Sequence, residues 1–301
     1  MSLEKKRSPG RPCTVPKIKR IPKHGIQEEP ANAENCVEFV YDSPYLFRRT
    51  MSLFKNMNAK EIVFDFRADC IRLLACDHTK QSKILMTING EQAVRYYCMS
   101  PMIAIIDAKK FEKIMTIINK SYNILSIFKK TTEERSRITF SIIDINEMEE
   151  VYDVDLITTV TVDSNDDDFY IDDHKIHFTL TDKMFKSFIC NSKMLANVLT
   201  IRKYGKLHPL TFSHKSEDKM ISGSRTINNG EKINLDCSGA DENEIFTMSV
   251  NIGFLKPITT SVPQTTQINI HIHDTKKMVS SYSVDDGFIV VSVATTVLGQ
   301  N

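Results

Sequence analysis

Two alternating segments of this chain, one carrying Phe39-x-Tyr-Asp-x-Pro and the other Phe178-x-Leu-Thr-Asp, each run directly into a helical segment, and they stand 139 residues apart. That repeat constrains the fold more than any other feature. Period-2 alternation marks strands at 37–41, 61–66, 70–76, 84–88, 94–98, 103–106, 124–128, 138–143 and 151–162. It marks them again at 176–180, 197–202, 210–213, 220–225, 232–235, 246–251, 267–273, 278–284 and 288–297. Helical spacing interrupts each half twice, at 43–57, 107–120, 182–195 and 252–262. Both halves therefore read as strand, helix, strands, helix, strands. The expected fold is α+β: one unit duplicated, each copy with two helices packed on antiparallel sheets.

Asp42, Asp107 and Asp182 are expected N-caps, with Pro44 in the first turn of its helix. The inward stripes predicted are Leu46, Thr50, Leu53, Phe54 and Met57 in the first helix, and Phe111, Ile114, Met115 and Ile118 in the second. In the third they are Phe185, Phe188, Ile189 and Leu195. Pro257 weakens the fourth, because proline costs about 3 kcal/mol inside a helix beyond the first turn. The predicted organisation is a disordered basic tail (1–35), a first domain (36–162), an acidic connector (163–173) and a second domain (174–301).

Charge is segregated along this scaffold. The 301 residues carry a net charge of only +1, yet residues 1–23 hold eight basic side chains and one acid. The four helical segments hold Arg48, Arg49, Lys55, Lys109, Lys110, Lys113, Lys120, Lys183, Lys186, Lys193 and Lys256 against three acids, a net of +8. The remainder of the folded part is −14. Solvated helix faces usually mix both signs for i,i+4 pairing. Cationic stripes opposite apolar ones, with almost no acid between, suit a polyanion held through its phosphates without base readout.

These residues bring the chain close to a known family. Asp42-Ser-Pro-Tyr-Leu-Phe-Arg-Arg-Thr-Met-Ser-Leu-Phe-Lys55, Ala68-Asp-Cys-Ile-Arg-Leu-Leu-Ala-Cys-Asp-His-Thr79, Phe111-Glu-Lys-Ile-Met115 and Tyr282-Ser-Val-Asp-Asp-Gly-Phe-Ile-Val-Val-Ser292 resemble sliding clamps of the proliferating cell nuclear antigen (PCNA) type. The likeness extends to the clamp-like proteins of large DNA viruses of the African swine fever kind and covers about 36–301. It implies a non-enzymatic DNA clamp: a homotrimeric ring of six similar domains, helices lining the hole, duplex DNA threaded through it. It also implies a DNA polymerase and other replication and repair proteins as partners, an intracellular location at sites of DNA replication (nucleus or cytoplasmic viral factory), and no cofactor. The subunit interface implied is edge to edge, through Val151, Val154 and Leu156 on one side and Met220, Ser222 and Ser224 on the other. The implied partner pocket takes Tyr170 and Ile171 from the connector, Cys76, Asp77 and Gln81 from its other rim, and Thr295 and Val297 from the C-terminal flank. Lys277 stands there in place of a family proline.

Other constellations are weaker. Ser8-Pro-Gly-Arg11-Pro among basic residues is part of a minor-groove hook, and makes Arg11 a DNA-contact candidate. It leaves open a clamp-folded viral late transcription factor that binds DNA through its tail without forming a ring. His271 and His273 share a strand face, but no Cys or His cluster in the sequence supplies further metal ligands. Asp163-x-Asn-x-Asp167 begins like a calcium loop and then lacks the required Gly and Glu. Seven cysteines without a C-x-x-C pair suit reduced thiols. No apolar run reaches the roughly 20 residues of a membrane helix, the first residues lack the apolar core of a secretory signal, and no nucleotide-binding glycine motif or catalytic triad is present.

Overall fold

The computed structural model describes residues 22–131, 136–157, 169, 174–205, 208–216, 218, 220–228, 234–237, 244–261, 267–273, 277–284 and 287–294. The first half runs β1 (Asn35–Tyr41), α1 (Pro44–Asn56), β2 (Glu61–Phe66), β3 (Cys70–Cys76), β4 (Ser82–Asn89), β5 (Arg95–Cys98), β6 (Met102–Asp107), α2 (Ala108–Ile117), β7 (Tyr122–Lys130), β8 (Arg137–Asp144) and β9 (Glu149–Asp155). The second runs β10 (Ile176–Thr181), α3 (Asp182–Lys193), β11 (Val198–Tyr204), β12 (Leu210–Lys215), β13 (Ser222–Ile227), β14 (Asn234–Asp236), β15 (Ile245–Asn251), α4 (Ile252–Ser261), β16 (Gln267–Ile272), β17 (Lys277–Val284) and β18 (Gly287–Ala294). Both halves have the same order: one strand, a helix, five strands, a helix, three strands.

The sheets repeat as well. The first half pairs β5-β1-β7-β8-β9 and β4-β3-β2-β6, and the second pairs β14-β10-β16-β17-β18 and β13-β12-β11-β15. These are the same two orders, strand for strand. β18 then pairs antiparallel with β4, from Gly287 opposite Ile88 to Val293 opposite Ser82. That join fuses two of the four sheets into one of nine strands crossing the whole chain. The repeat equivalents of β18 and β4 are β9 and β13, and each of these is the outer strand of its own sheet.

The helix starts differ from the sequence expectation by one residue in two cases. Ser43, not Asp42, is the N-cap of α1, and it acts through its backbone carbonyl, with Pro44 at the first helical position. Thr181, not Asp182, caps α3; its hydroxyl accepts from the Met184 amide at 3.3 Å, and Asp182 sits in the first turn, where a negative charge suits the helix dipole. Asp107 caps α2 as expected, accepting from the Lys110 amide at 3.0 Å. Pro257 falls at the sixth position of α4. The helix persists there because it is wedged between α1 and α3, with Leu255 and Ile258 fully buried.

Phe111, Ile114 and Met115 are buried in α2, and Ile118 is buried at its C-cap. In α3 Phe185, Phe188 and Ile189 are buried, whereas Leu195 lies past the helix end and is exposed. In α1 the buried face is Phe47, Met51, Leu53 and Phe54, and Leu46 is exposed. The reason is tertiary: α1 must cover its own sheet and also meet α4 and α2.

Residues 22–35 do not behave as part of a disordered tail. The Gln27 amide donates to the Tyr96 carbonyl at 2.7 Å, and the Tyr96 amide to the Gly25 carbonyl at 2.9 Å, so this stretch lies parallel along the outer edge of β5. Glu38, buried in β1, fastens it: its carboxylate accepts from the Ala31 and Asn32 amides, the Asn35 side chain and Arg95 Nε, at 2.8–3.0 Å. Burial alone would raise the Glu38 pKa; the bonds from Ala31, Asn32, Arg95 and Asn35 outweigh it and hold the carboxyl below the ordinary glutamate value.

Candidate nucleic-acid interface

The helices meet in the sequence α2, α1, α4, α3, so the two halves present one helical layer. Each helix turns its apolar side to the core, which leaves the opposite sides of the layer outward. Arg49, Lys55, Lys109, Lys110, Lys113, Lys183, Lys186 and Lys193 are all exposed there. Lys256 lies in α4 between the halves.

Three of the predicted cations also hold the layer together. Half-buried Arg48 donates through Nη1 to the Ile118 carbonyl at the end of α2. Lys55 pairs with Glu112 at 2.6 Å, linking α1 to α2. Lys120 lies two residues beyond the helix cap, with its ammonium 5.7 Å from the centre of the Tyr45 ring. A groove of about 730 Å³ opens between α1 and α2, where Lys60 and Lys109 stand beside Glu61 and Glu112. Helical spacing gives no sign of Lys60, because it sits just outside the helical segment. Arg11 falls outside the described residues.

No family model matches the chain. It is 24% identical over 271 residues to an uncharacterized protein of African swine fever virus, in the Malawi tick and Kenya pig isolates among others, covering 87% of this chain and 88% of that one. Among solved structures, PCNA from Thermococcus kodakaraensis superposes with a TM-score of 0.70 at 15% identity, over 86% of this chain and all of that one. PCNA from Entamoeba histolytica gives 0.70 at 13%, over 87% of this chain and 99% of that one. The chain has the sliding-clamp fold.

In this clamp fold four of the predicted partner-pocket residues, Cys76, Asp77, Gln81 and Lys277, lie at one end of the nine-stranded sheet. Cys76 ends β3 and is exposed, Gln81 accepts the Ala294 amide through its carbonyl at 2.8 Å, and Lys277 lies opposite Ala294 across β17 and β18. Asp77 has a different job from the one expected: it is buried, and its carboxylate shapes the loop by accepting from the Thr79 amide at 3.1 Å, the Ser82 amide at 2.8 Å and the Thr79 hydroxyl. Burial pushes its pKa up, but the bonds from Thr79 and Ser82 hold it below the ordinary aspartate value. Tyr170, Ile171, Thr295 and Val297 lie outside the described residues. Phe169 is described, and with Ile157 it covers Val63, Leu74, Leu85 and Ile105 on the sheet face away from the main core. The sequence signal for this second apolar patch was the near-continuous hydrophobic character of β2, β3 and β4, typical of strands covered on both faces.

The predicted interface residues lie on the two outer edges. Val151 is 55% exposed on β9, whereas Val154 is 4% exposed and points into the core, so it can offer a partner only its backbone. Leu156 is half-buried just past β9. Ser222 and Ser224 are exposed on β13, and Met220 lies in the turn before it, 82% exposed beside Ile221 at 50%. All cysteines among the described residues are free. Among those residues no helix is long and apolar enough to cross a membrane, and no group of three His, Cys, Asp or Glu side chains is arranged to hold a metal ion.

Proposed function

We propose that the chain is a DNA sliding clamp, a non-enzymatic processivity factor that assembles head to tail, encircles duplex DNA and tethers a DNA polymerase and other replication and repair proteins inside the cell. One observation carries the reading: the exposed edges β9 and β13 are the repeat equivalents of β18 and β4, which already pair within the chain. An edge pairing that works once in the fold is available to work again between copies, and a single heterologous contact of this kind builds a ring when its rotation closes. Three copies, giving six repeats, is the number implied by the resemblance to PCNA. Pairing the edges would also remove the unsatisfied backbone groups that make open strands a liability. The helical layer, with its exposed Lys109, Lys110, Lys113, Lys183, Lys186 and Lys193, would then face the duplex. Cations with no base-reading partner give a register-free attraction that permits sliding.

Light scattering of the full chain should give three times 34.4 kDa. The assembly, once loaded, should stay on closed circular duplex and run off the same DNA once it is linearised. A single-chain mass, together with duplex binding that disappears when residues 1–21 are removed, would replace this reading with the tail-led DNA-binding protein.

A further inference from the structure

We infer that Glu150 on β9 and Arg225 on β13 form the charge pair that sets the register and direction of the contact between copies, with Glu150 of one copy opposite Arg225 of the next. This rests on the head-to-tail assembly proposed above, and it follows from carrying the register of the β18–β4 join over to the open edges. The hairpins fix the equivalence. The β3–β4 hairpin closes where the Asp77 amide donates to the Ser82 carbonyl at 3.0 Å, and the β12–β13 hairpin where the Ser216 amide donates to the Ile221 carbonyl at 2.8 Å. A side chain answers each bond: the Ser82 amide donates to the Asp77 carboxylate, and the Ile221 amide to the Ser216 hydroxyl. Ser82 therefore matches Ile221. On the other side, Val284 opposite Gly287 closes β17–β18, and the Asp144 amide donating to the Met148 carbonyl closes β8–β9, so Gly287 matches Met148. Both matches are 139 residues apart, the spacing of Phe39 and Phe178.

Within the chain the join sets Ile289 opposite Met86, Val291 opposite Ile84 and Val293 opposite Ser82, all of them buried. The same register between copies sets Glu150 opposite Arg225, Tyr152 opposite Gly223 and Val154 opposite Ile221. The changes complement one another. Opposite charges stand in place of Ile289 and Met86. The bulk of Tyr152 meets a residue with no side chain, and beside Gly223 lies the His214 ring, whose Nε2 would be 2.6 Å from a Cβ there. Glu150 is also held in place: the Tyr122 hydroxyl donates to Oε1 at 2.9 Å, and the Tyr152 hydroxyl donates to Oε2. Tyr152 first, and Tyr122 second, hold its pKa below the ordinary glutamate value, so the carboxylate is charged at neutral pH. Arg225 is exposed, with no ion pair among the described residues.

Charge also disfavours the wrong pairings. β9 exposes Glu149, Glu150, Asp153 and Asp155, whereas β13 contains Arg225 and no acid. Two β9 edges would bring these carboxylates against their own copies, and two β13 edges would bring Arg225 against Arg225. Only β9 against β13 joins opposite signs. The difference from the internal join has a physical reason. Ile289 and Met86 never meet water once the chain has folded, so an apolar pair serves there. An edge that stands open in a free copy would expose such residues as a sticky strand, and a charged pair avoids that.

Charge exchange tests the pair. Glu150→Arg and Arg225→Glu each set like charges at every junction, and light scattering of the full chain over a concentration series should show each raising the dissociation constant between copies at least about tenfold, the scale of one close interfacial charge pair. The chain carrying both substitutions exchanges the charges across each junction and should regain the wild-type assembly. Arg202→Glu, at an exposed site on β11 two strands from the β13 edge, makes the same change in net charge as Arg225→Glu and should leave assembly unchanged. Glu150→Arg gives up two tyrosine bonds; should it fail to fold, Arg225→Glu against Arg202→Glu decides. Single variants that assemble as tightly as the wild type, or a double variant that folds and stays a single chain, overturn the pair and leave the head-to-tail assembly standing. A wild-type chain that stays single at every concentration overturns that assembly, and the pair with it.

Discussion

At Gly287 the two halves approach more closely than a side chain allows. A Cβ there would lie 1.9 Å from the Thr87 carbonyl oxygen, a backbone atom of β4 that cannot swing aside. Gly287→Ala must push β18 from β4 at the join, and overpacking of this sort costs about 1–3 kcal/mol. Thermal unfolding should show a clear drop. Gly253→Ala is the control: its Cβ would meet only the Asn251 side chain, whose oxygen lies at 3.0 Å, so its melting temperature should change little. The glycine stood in the sequence within the run 282–292 that resembles sliding clamps, but the reason for it did not, because Thr87 is about 200 residues away along the chain. The caps show the same limit on a smaller scale. Asp42 and Asp182 were plausible choices on residue type, and the neighbouring Ser43 and Thr181 hold the geometry instead.

The helices are the elements where sequence and structure agree best and where the disagreements teach most. α2 packs mainly by one face, so its 3.6-residue pattern named every one of the predicted inward residues correctly. α1 is pressed by α2 and α4 as well as by its sheet, so its apolar face rotates to Phe47 and Met51, which a single-stripe reading could not foresee. Of the α1 cations, Arg49 and Lys55 stay exposed through that rotation, while Arg48 is drawn half-buried to the Ile118 carbonyl. Replacing Lys109, Lys113, Lys183 and Lys186 together by Glu should weaken duplex binding equally for every sequence. It should also flatten the dependence of log affinity on log salt by up to about 0.9 for each phosphate no longer neutralised. A fluorescence titration at several salt concentrations reads both, and Lys80→Glu, on an exposed loop after β3, should leave both unchanged.

For the whole molecule, the duplication was legible in the sequence, since strands and helix starts recur in the same order in both halves. The layering was not: which strand of one half pairs with which strand of the other is a long-range choice that local periodicity does not encode. Nor was the pairing of residues 24–27 with β5, because His-Gly-Ile-Gln is too short to show an alternation and its flanks are rich in proline and charge. The outer edges carry the assembly-level prediction. Val151→Glu and Ile221→Glu sit at exposed sites, where a substitution should shift the chain's own stability by no more than about 0.5 kcal/mol. If β9 and β13 meet between copies, the double variant should scatter light as a single chain with its melting curve nearly intact.

The β18–β4 join and the open β9 and β13 edges differ in one further respect. Between β4 and β18 the polypeptide itself ties the two sides, so that seam can part only if the chain unfolds. A seam between copies has no such tether and yields to concentration, salt or a wedge of another protein. Any closed assembly of this chain therefore has hinges that are permanent and gates that are not, alternating around its circumference.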